Sequence, residues 1–285
     1  MRTSVLSAAA SETRSHPASL NELTRPKESH TYQYGVIVPS AQSAAVVLAG
    51  ADYVEPTIVG NLVQEDGVGG WERHPGYDAP DSCPSFAVLF PGHVKLSDPA
   101  FPAHAVTDYL EAVFPVIASA GSAGAKVVFG SGAARTIPSG VDRSAAEARF
   151  AAVLRETRDV AARHGLVVLL EPLNAGETNL LHTIAECAQF VDSHGIDGVP
   201  IVADLYHIML EGEPLSTVRA LGARIGHAHI ADTGRIPPGQ GDWPLSQFLQ
   251  ALAAGGYTGS VSIECTWSDI TTELAPALEH LRSLA

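Results

Sequence analysis

The sequence has few basic residues for its length. Of its 285 residues only 17 are Lys or Arg, against 31 Asp or Glu, and the formal net charge at pH 7 is −14. A protein that binds the nucleic-acid backbone usually presents a basic surface, because it must neutralise phosphate groups. We therefore expect no nucleic-acid partner, although one or two arginines would be enough to hold a small anionic substrate.

Cysteines are also few, and long apolar runs are missing. The three cysteines, Cys83, Cys187 and Cys265, form no CxxC pair, and an odd number cannot complete a disulfide framework. No apolar run approaches the roughly 18 residues that cross a membrane. The N-terminal segment lacks the continuous apolar stretch of a signal peptide. These absences predict a cytoplasmic protein with no membrane partner.

The sequence is rich in short apolar runs that alternate with longer helical patterns. Eight short runs have the length of buried parallel strands and occupy residues 34–38, 53–55, 86–90, 126–129, 167–171, 200–204, 225–230 and 260–264. Helical patterns occupy residues 105–119, 142–163, 182–194, 214–222, 244–254 and 271–284. This alternation predicts a (β/α)8 TIM barrel, a fold that typically needs about 250 residues.

The barrel is expected to form one domain. We assign residues 34–285 to it and residues 1–33 to a short flexible N-terminal extension. An open doubly wound sheet is the rival fold, but no GxGxxG follows the first strand, so nothing indicates a dinucleotide site. Residues 60–85, with many Gly, Pro and Asp, predict a long loop over the barrel mouth.

Four acidic or histidine residues stand at the carboxyl ends of four successive predicted strands. Glu171 ends VVLLE, Asp204 ends PIVAD, His229 lies near the end of IGHAHI, and Glu264 ends SVSIE. All strand ends of such a barrel face the same mouth. Three carboxylates there repel one another unless a divalent cation compensates them. One imidazole with mainly oxygen ligands predicts Mn²⁺ or Mg²⁺ rather than structural Zn²⁺, with Co²⁺ as a substitute.

Other polar residues are placed near the same mouth. His227 shares a face of the seventh strand with His229 but lies deeper, so His229 is the preferred ligand. His207 follows Asp204 by three residues and is a candidate to contact a substrate oxygen or to steer a proton. Arg235, in the loop after the seventh strand, is a candidate to hold a hydroxyl, carbonyl or phosphate oxygen.

Three further substrate-binding candidates have ordinary alternatives. Glu55 ends the second strand and is expected to line the pocket or to lie outside it. Arg135 ends the glycine-rich segment 129–135, which is either an anion-binding loop or a simple turn. Trp267 is a candidate apolar wall for sugar C–H groups, or a packing residue.

The segments that carry these residues resemble a known family. They are EPLN at 171–174, DLYH at 204–207, HAHIAD at 227–232, GR at 234–235, PGQGD at 238–242 and SIE at 262–264. Together they resemble the xylose isomerase-like TIM barrel superfamily, and most of all its sugar phosphate isomerases/epimerases and ketose 3-epimerases of the D-tagatose/D-psicose epimerase type. The resemblance covers roughly residues 34–284.

The resemblance implies one bound Mn²⁺, Co²⁺ or Mg²⁺ ion whose ligands are Glu171, Asp204, His229 and Glu264. It implies that Glu171 and Glu264 also form the acid/base pair, and that His207 and Arg235 contact the substrate. The implied activity is isomerisation or epimerisation of a small sugar, keto-sugar or sugar phosphate through a metal-stabilised enediolate. The resemblance also implies a homo-oligomer.

Three alternative functions stay open. The first is a lyase or dehydratase that acts on a keto-sugar or keto-inositol, including the C-glycoside-cleaving type, at the same metal site. The second is an AP-endonuclease-like activity, which the acidic composition disfavours. The third is a non-catalytic sugar-binding subunit, which the presence of both Glu171 and Glu264 disfavours. Residues 60–85 and 129–135 look unlike the best-known ketose epimerases, so the identity of the sugar stays open.

Overall fold

The centre of the fold is a sheet of eight parallel strands. The computed structural model describes residues 32–80 and 82–284. The strands of the sheet are β1 Tyr34–Val38, β2 Tyr53–Pro56, β5 Cys83–Phe86, β6 Gly121–Phe129, β7 Val167–Leu170, β8 Ile201–Asp204, β9 Ile225–Ile230 and β10 Val261–Ile263, and between β2 and β5 lie the two short strands β3 Val63–Glu65 and β4 Trp71–Arg73. The order in the sheet is β2-β1-β10-β9-β8-β7-β6-β5, and neighbouring strands run parallel.

The two edge strands of this sheet, β2 and β5, meet just beyond their carboxyl ends. The N–H of Ile58 donates to the carbonyl of Ala87 at 2.8 Å, and the N–H of Ala87 donates to the carbonyl of Pro56 at 3.1 Å. A short parallel bridge between Thr57 and Ala87 accompanies these bonds. An open doubly wound sheet would keep its two edges apart, so this junction confirms the predicted (β/α)8 barrel.

Helices follow most of the strands and pack against them. They are α1 Ser43–Leu48, α2 Ala103–Ala120, α3 Gly132–Arg135, α4 Arg143–Arg163, α5 Ile184–Ser193, α6 Leu205–Glu211, α7 Leu215–Ala220, α8 Leu245–Ala254 and α9 Ile270–Ser283. Within the described ranges, none of them combines the length and the apolar character needed to cross a membrane. The predicted N-terminal extension falls almost wholly on residues 1–31, which lie outside the described residues.

The longest helix, α4, shows how local sequence sets an element. The side chain of Asp142 accepts a hydrogen bond from the N–H of Ala145 at 2.9 Å and caps the helix. Phe150 and Leu154 are fully buried, and the ring of Phe150 lies 5.5 Å from that of Phe129 on β6. Each such side chain contributes about 1.5–3 kcal/mol by its burial. Gly165 follows the helix with a φ of +68°, which favours glycine, as the sequence predicts.

The stretch between β2 and β5 differs from the predicted long loop. It contains the β3–β4 hairpin, and the third strand of the barrel begins at Cys83 instead of residue 86. Pro84 and Ser85 hide the start of this strand from a search for apolar runs. The apolar sequence predicts a strand that continues to residue 90, but β5 ends at Phe86. Val88 adopts a φ of +58°, which is incompatible with a continued strand.

The interior of the barrel is part apolar and part polar. Val128, Leu169 and Val202 on β6, β7 and β8 form a small buried cluster separate from the main core. Elsewhere in the interior, four buried residues form what we term the interior polar cluster: Glu55, Ser85, His227 and Ser262. The exposed fraction of each is 0–1%. Buried polar groups of this kind persist when they bond one another, and here they lie directly beneath the barrel mouth.

Candidate metal centre at the barrel mouth

Four side chains converge at the carboxyl ends of four adjacent strands. Asp204 ends β8, His229 is on β9, and Glu171 and Glu264 directly follow β7 and β10. One nitrogen or oxygen atom from each residue lies within 4.8 Å of the others. We term these residues the four-residue centre. They are the four residues that the sequence places at strand ends, and the order of the strands explains why they meet.

The imidazole of His229 lies among the three carboxylates. Its Nδ1 is 3.1 Å from Oε1 of Glu171, 3.1 Å from Oε2 of Glu264 and 3.9 Å from Oδ2 of Asp204. Asp204 and His229 are each 1% exposed, while the side chain of Glu264 is 24% exposed. The carboxylate of Glu264 therefore faces the outside of the mouth, and Asp204 lies at its floor.

The charges of the four-residue centre are strongly perturbed. Burial raises the pKa of Asp204 to about 6, and it also raises the pKa of Glu171. Burial opposes ionisation of Glu264 as well, but the hydrogen bond to His229 and the charges of His229 and Arg235 lower its pKa to about 2. For His229 burial would lower the pKa, yet the surrounding carboxylates raise it well above 6.5. The ionised forms of Asp204 and Glu171 are thus held in the fold at a cost that a bound cation would relieve.

The residues present fit a divalent cation. Oδ2 of Asp204 is buried without a hydrogen-bond partner, and its nearest basic atoms are Nε2 of His207 at 3.6 Å and Nδ1 of His229 at 3.9 Å. A buried carboxylate oxygen without a partner is costly unless a cation approaches it. Three carboxylates and one imidazole form a mainly oxygen donor set, which suits Mn²⁺ or Mg²⁺.

Gly130 allows the carboxylate of Glu171 to occupy its position. A Cβ atom at residue 130 would lie 2.2 Å from Oε2 of Glu171, so any larger residue would displace this oxygen. The glycine directly follows β6. Sequence reasoning placed it only in a glycine-rich segment, because the contact with Glu171 depends on how β6 and β7 are paired.

Arg235 lies over the outer side of the four-residue centre. Its guanidinium contacts Oε1 of Glu264 and lies 3.3 Å from Oε1 of Glu177. Its Cζ is 4.6 Å from the centroid of the Tyr206 ring, a cation–π contact. The side chain of Arg235 is 23% exposed, so its guanidinium is accessible from the mouth. Sequence reasoning did not single out Tyr206, although it directly precedes His207.

His207 is held from the side opposite Asp204. The backbone N–H of Asn174 donates to its Nδ1 at 3.1 Å, and Nδ2 of Asn174 is 2.9 Å from the same nitrogen. Nδ1 is therefore an acceptor, and Nε2 carries the hydrogen. His207 is 1% exposed, with Nε2 directed to Oδ2 of Asp204. The sequence pointed to His207 but not to Asn174, the residue that orients it.

Arg135 is not placed as a free anion ligand. It is fully buried, and its guanidinium donates to the carbonyl of Glu171 at 2.6 Å and to that of Leu181 at 3.1 Å. The sequence suggests a loop charge that is ready to bind an anion. Instead, its guanidinium supports the backbone of the segment between β7 and α5, at Glu171 and at Leu181.

The remaining two substrate-binding candidates differ in position. Glu55 is fully buried in the interior polar cluster, beneath His229, and so does not reach the surface of the pocket. Trp267 follows Glu264 by three residues and packs partly buried against the main core. Its indole Nε1 has no hydrogen-bond partner. The role of Trp267 as a wall for a sugar stays a prediction.

A family model described as "Xylose isomerase-like TIM barrel" matches residues 88–284. The chain belongs to the xylose isomerase-like TIM barrel family. The matched range contains the whole four-residue centre together with His207 and Arg235. The family resemblance stated from the sequence is thereby confirmed.

Several relatives of the chain are named as sugar epimerases. The 3-dehydro-D-guloside 4-epimerase of Escherichia coli is 36% identical over 114 residues, which are 39% of this chain and 43% of that protein. The D-psicose 3-epimerase of Enterocloster bolteae is 33% identical over 124 residues, which are 43% of this chain and 41% of that protein. The chain thus aligns with less than half the length of these relatives.

Structural similarity extends over most of the chain. The crystal structure of 3-keto-D-glucoside 4-epimerase from E. coli superposes with a TM-score of 0.69 and covers 89% of this chain and 100% of that one. The sequence identity of the pair is 22%. At this sequence identity, the structural similarity shows that the two proteins share a fold.

Proposed function

We propose that this xylose isomerase-like barrel is a divalent-metal-dependent isomerase or epimerase of a small sugar, keto-sugar or sugar phosphate. The observation that carries the proposal is the position of Glu171 and Glu264, whose carboxylates approach Nδ1 of His229 at 3.1 Å from two different strands. Relatives named as epimerases of a 3-dehydro-D-guloside and of D-psicose support the same class of reaction.

The four-residue centre supplies the ligands that a divalent cation needs. When bound, an ion such as Mn²⁺ would act as a Lewis acid toward the carbonyl and an adjacent hydroxyl of the substrate. Asp204 contributes an oxygen that has no other partner, and His229 contributes a nitrogen.

Glu171 and Glu264 are the proposed acid/base pair. One carboxylate removes the proton on the carbon beside the substrate carbonyl, which leaves an enediolate. The other returns a proton to the opposite face, which inverts the centre, or to the neighbouring carbon, which moves the carbonyl. Two carboxylates that reach the mouth from different strands are suited to work on two faces of one planar intermediate.

Arg235 and His207 are the proposed residues for substrate binding. Arg235 is partly exposed and contacts Glu264, so a sugar hydroxyl or phosphate that enters the mouth would accept from its guanidinium. His207 presents Nε2–H beside Asp204 and would donate to a substrate oxygen bound there. His207 is buried and Arg235 is only 23% exposed, which limits the water that competes for these bonds.

The test is deuterium incorporation from solvent. The full chain, treated with EDTA, is incubated in D₂O with and without Mn²⁺ and with a panel of ketoses, 3-keto-glycosides, keto-inositols and their phosphates. The expected result is Mn²⁺-dependent deuterium on the carbon beside the carbonyl, detected by NMR and mass spectrometry. An epimer or isomer as product supports the proposal, whereas a product that has lost water or an aglycone would replace it with the lyase alternative.

Glu264→Gln separates catalysis from folding. The variant keeps the size of the side chain and is expected to show the circular dichroism of the wild type with no detectable turnover. The matched control is Glu279→Gln on α9, a substitution of the same kind away from the four-residue centre, and it should retain full activity. Wild-type turnover in Glu264→Gln would remove this residue from the proposed acid/base pair.

A further inference from the structure

Glu55 lies beneath the four-residue centre and is the acceptor at the middle of the interior polar cluster. Its Oε1 is 3.2 Å from Nε2 of His229, and its Oε2 is 2.7 Å from Nε2 of His227. The hydroxyls of Ser85 and Ser262 also donate to Oε2, at 2.7 and 2.5 Å. Glu55 is fully buried, so its carboxylate has four protein partners and no contact with a substrate in the mouth.

The two ring nitrogens of His229 face opposite environments. Nδ1 faces the carboxylates of Glu171 and Glu264, and Nε2 faces Glu55. A carboxylate only accepts hydrogen bonds, and a neutral imidazole has one N–H and one lone pair. Without a cation, a hydrogen on either nitrogen would meet a carboxylate. With a cation in the four-residue centre, a hydrogen on Nε2 satisfies Glu55 and leaves the lone pair on Nδ1 for the cation. A metal ligand must offer a lone pair, and Nδ1 is the nitrogen that lies within the four-residue centre.

We propose that Glu55 is a positioning residue that fixes His229 as the Nε2–H tautomer, so that Nδ1 binds the divalent cation. The inference rests on the proposed function, since it takes the four-residue centre to hold a cation. It replaces the expectation that Glu55 lines the substrate pocket. A carboxylate that orients a histidine ligand in this way raises its basicity and typically contributes tenfold to hundredfold to metal affinity.

The rest of the interior polar cluster keeps the Glu55 carboxylate from rotating. Three donors converge on Oε2, which leaves Oε1 directed toward His229. The phenol of Tyr53 lies 2.7 Å from the hydroxyl of Ser262 and holds that hydroxyl in turn. The orientation of the His229 ring is therefore set by side chains from four strands. Glu55 lies on β2, Ser85 on β5, His227 on β9 and Ser262 on β10.

A second cation between Glu55, His227 and His229 is the alternative, because each offers an atom that can bind a metal. The separations favour hydrogen bonds instead. Oε2 of Glu55 already accepts from two serine hydroxyls and from His227, and a cation at that oxygen would have to displace at least one of these partners. The two readings differ in stoichiometry: tautomer control predicts one Mn²⁺ per chain, and a second site predicts two.

The first experiment compares Mn²⁺ binding by the metal-free full chain, its Glu55→Gln variant and a Glu213→Gln control. Glu213 accepts from the N–H groups of Ile184 and Ala185 at the start of α5 and touches no residue of the four-residue centre. The glutamine amide of Glu55→Gln can donate to Nε2 of His229 and so favours the wrong tautomer. We expect one Mn²⁺ per wild-type chain, an affinity that is tenfold to hundredfold lower in Glu55→Gln, and wild-type affinity in Glu213→Gln.

The second experiment observes the tautomer directly and needs no variant at Glu55. The ¹⁵N-histidine-labelled wild type is loaded with diamagnetic Zn²⁺, and the His229 signals are assigned by their loss in His229→Gln. The expected pattern is a hydrogen on Nε2 and a metal-bound Nδ1.

The outcomes distinguish this inference from the proposed function. Unchanged Mn²⁺ affinity in folded Glu55→Gln, two Mn²⁺ per wild-type chain, or a hydrogen on Nδ1 of His229 in the Zn²⁺-loaded chain would each overturn the role of Glu55. A wild-type chain that binds no Mn²⁺ would overturn the proposed function and the inference with it, whereas a chain that binds Mn²⁺ but gives one of these three results would overturn the role of Glu55 alone. If Glu55→Gln does not fold, Ser262→Ala tests the same link with a smaller expected loss of affinity.

Discussion

Asp204→Asn is expected to stabilise the metal-free protein and to remove its response to Mn²⁺. Asp204 is 1% exposed, and its Oδ2 has no hydrogen-bond partner, while its Oδ1 accepts from the N–H of Tyr206 at 2.6 Å. Asparagine keeps the oxygen that bonds Tyr206 and removes the buried charge. It also removes the ligand that a cation needs, so the gain in stability and the loss of metal binding should appear in one variant.

The magnitude follows from the pKa of Asp204. Burial raises this pKa from 3.8 to about 6, which corresponds to about 3 kcal/mol against the ionised form in the fold. The penalty is complete above pH 6 and disappears as the pH falls toward 3.8, because the raised folded pKa disfavours the carboxylate only where the unfolded chain is ionised. For a chain of this length, relief of the full penalty of about 3 kcal/mol corresponds to a rise in Tm of about 6–12 °C. We expect a rise of several degrees at pH 8 and a much smaller one at pH 4.5.

The assay is thermal unfolding in EDTA at both pH values, repeated at pH 8 with excess Mn²⁺. The matched control is Asp232→Asn, since Asp232 is equally buried but accepts from the N–H groups of Thr233, Gly239 and Trp243. These bonds outweigh burial and lower its pKa, so the control should lose stability and keep its response to Mn²⁺. A loss of stability in Asp204→Asn like that of the control, or an undiminished response to Mn²⁺, would refute the reasoning.

Two further predictions concern the support of Glu171. Gly130→Ala is expected to weaken Mn²⁺ binding by about tenfold or more with little change in circular dichroism, because the new Cβ would lie 2.2 Å from Oε2 of Glu171. Calorimetric titration measures the affinity, and an unchanged value would contradict the prediction. Arg135→Met is expected to lower the free energy of unfolding by about 3 kcal/mol or more, because the carbonyls of Glu171 and Leu181 lose a charged donor. A loss of that size lowers Tm by several degrees, so a Tm within about 1–2 °C of the wild type would argue against the prediction.

The sequence predicts the barrel and the four-residue centre for the same reason. Parallel strands that are buried on both faces leave nearly continuous apolar runs, and polar residues such as Glu171 and Asp204 are conspicuous where such a run ends. The third barrel strand lacks this signal. Ser85 is polar there because its hydroxyl donates to Glu55 inside the barrel, a partner that the sequence alone does not reveal.

The roles of Glu55 and Arg135 depend on contacts between distant parts of the chain. Glu55 bonds His227, 172 positions away, and this pairing depends on the register of strands that close the barrel. The sequence around Arg135 predicts an exposed loop charge, whereas in the fold its guanidinium donates to the carbonyls of Glu171 and Leu181. A sequence gives the chemical type of these groups, whereas burial and partners follow only from the packed fold.

The buried guanidinium of Arg135 limits how this barrel can be re-engineered for another sugar. Substrate choice in such barrels is usually altered by randomising the connections at the mouth, and one of these connections, residues 130–142 between β6 and α4, contains the short helix α3 with Arg135. A library that varies position 135 would discard the link that holds the Glu171 backbone, and most of its members would fail for reasons unrelated to the substrate. Libraries that keep Arg135 and vary its neighbours would instead sample specificity on an intact scaffold.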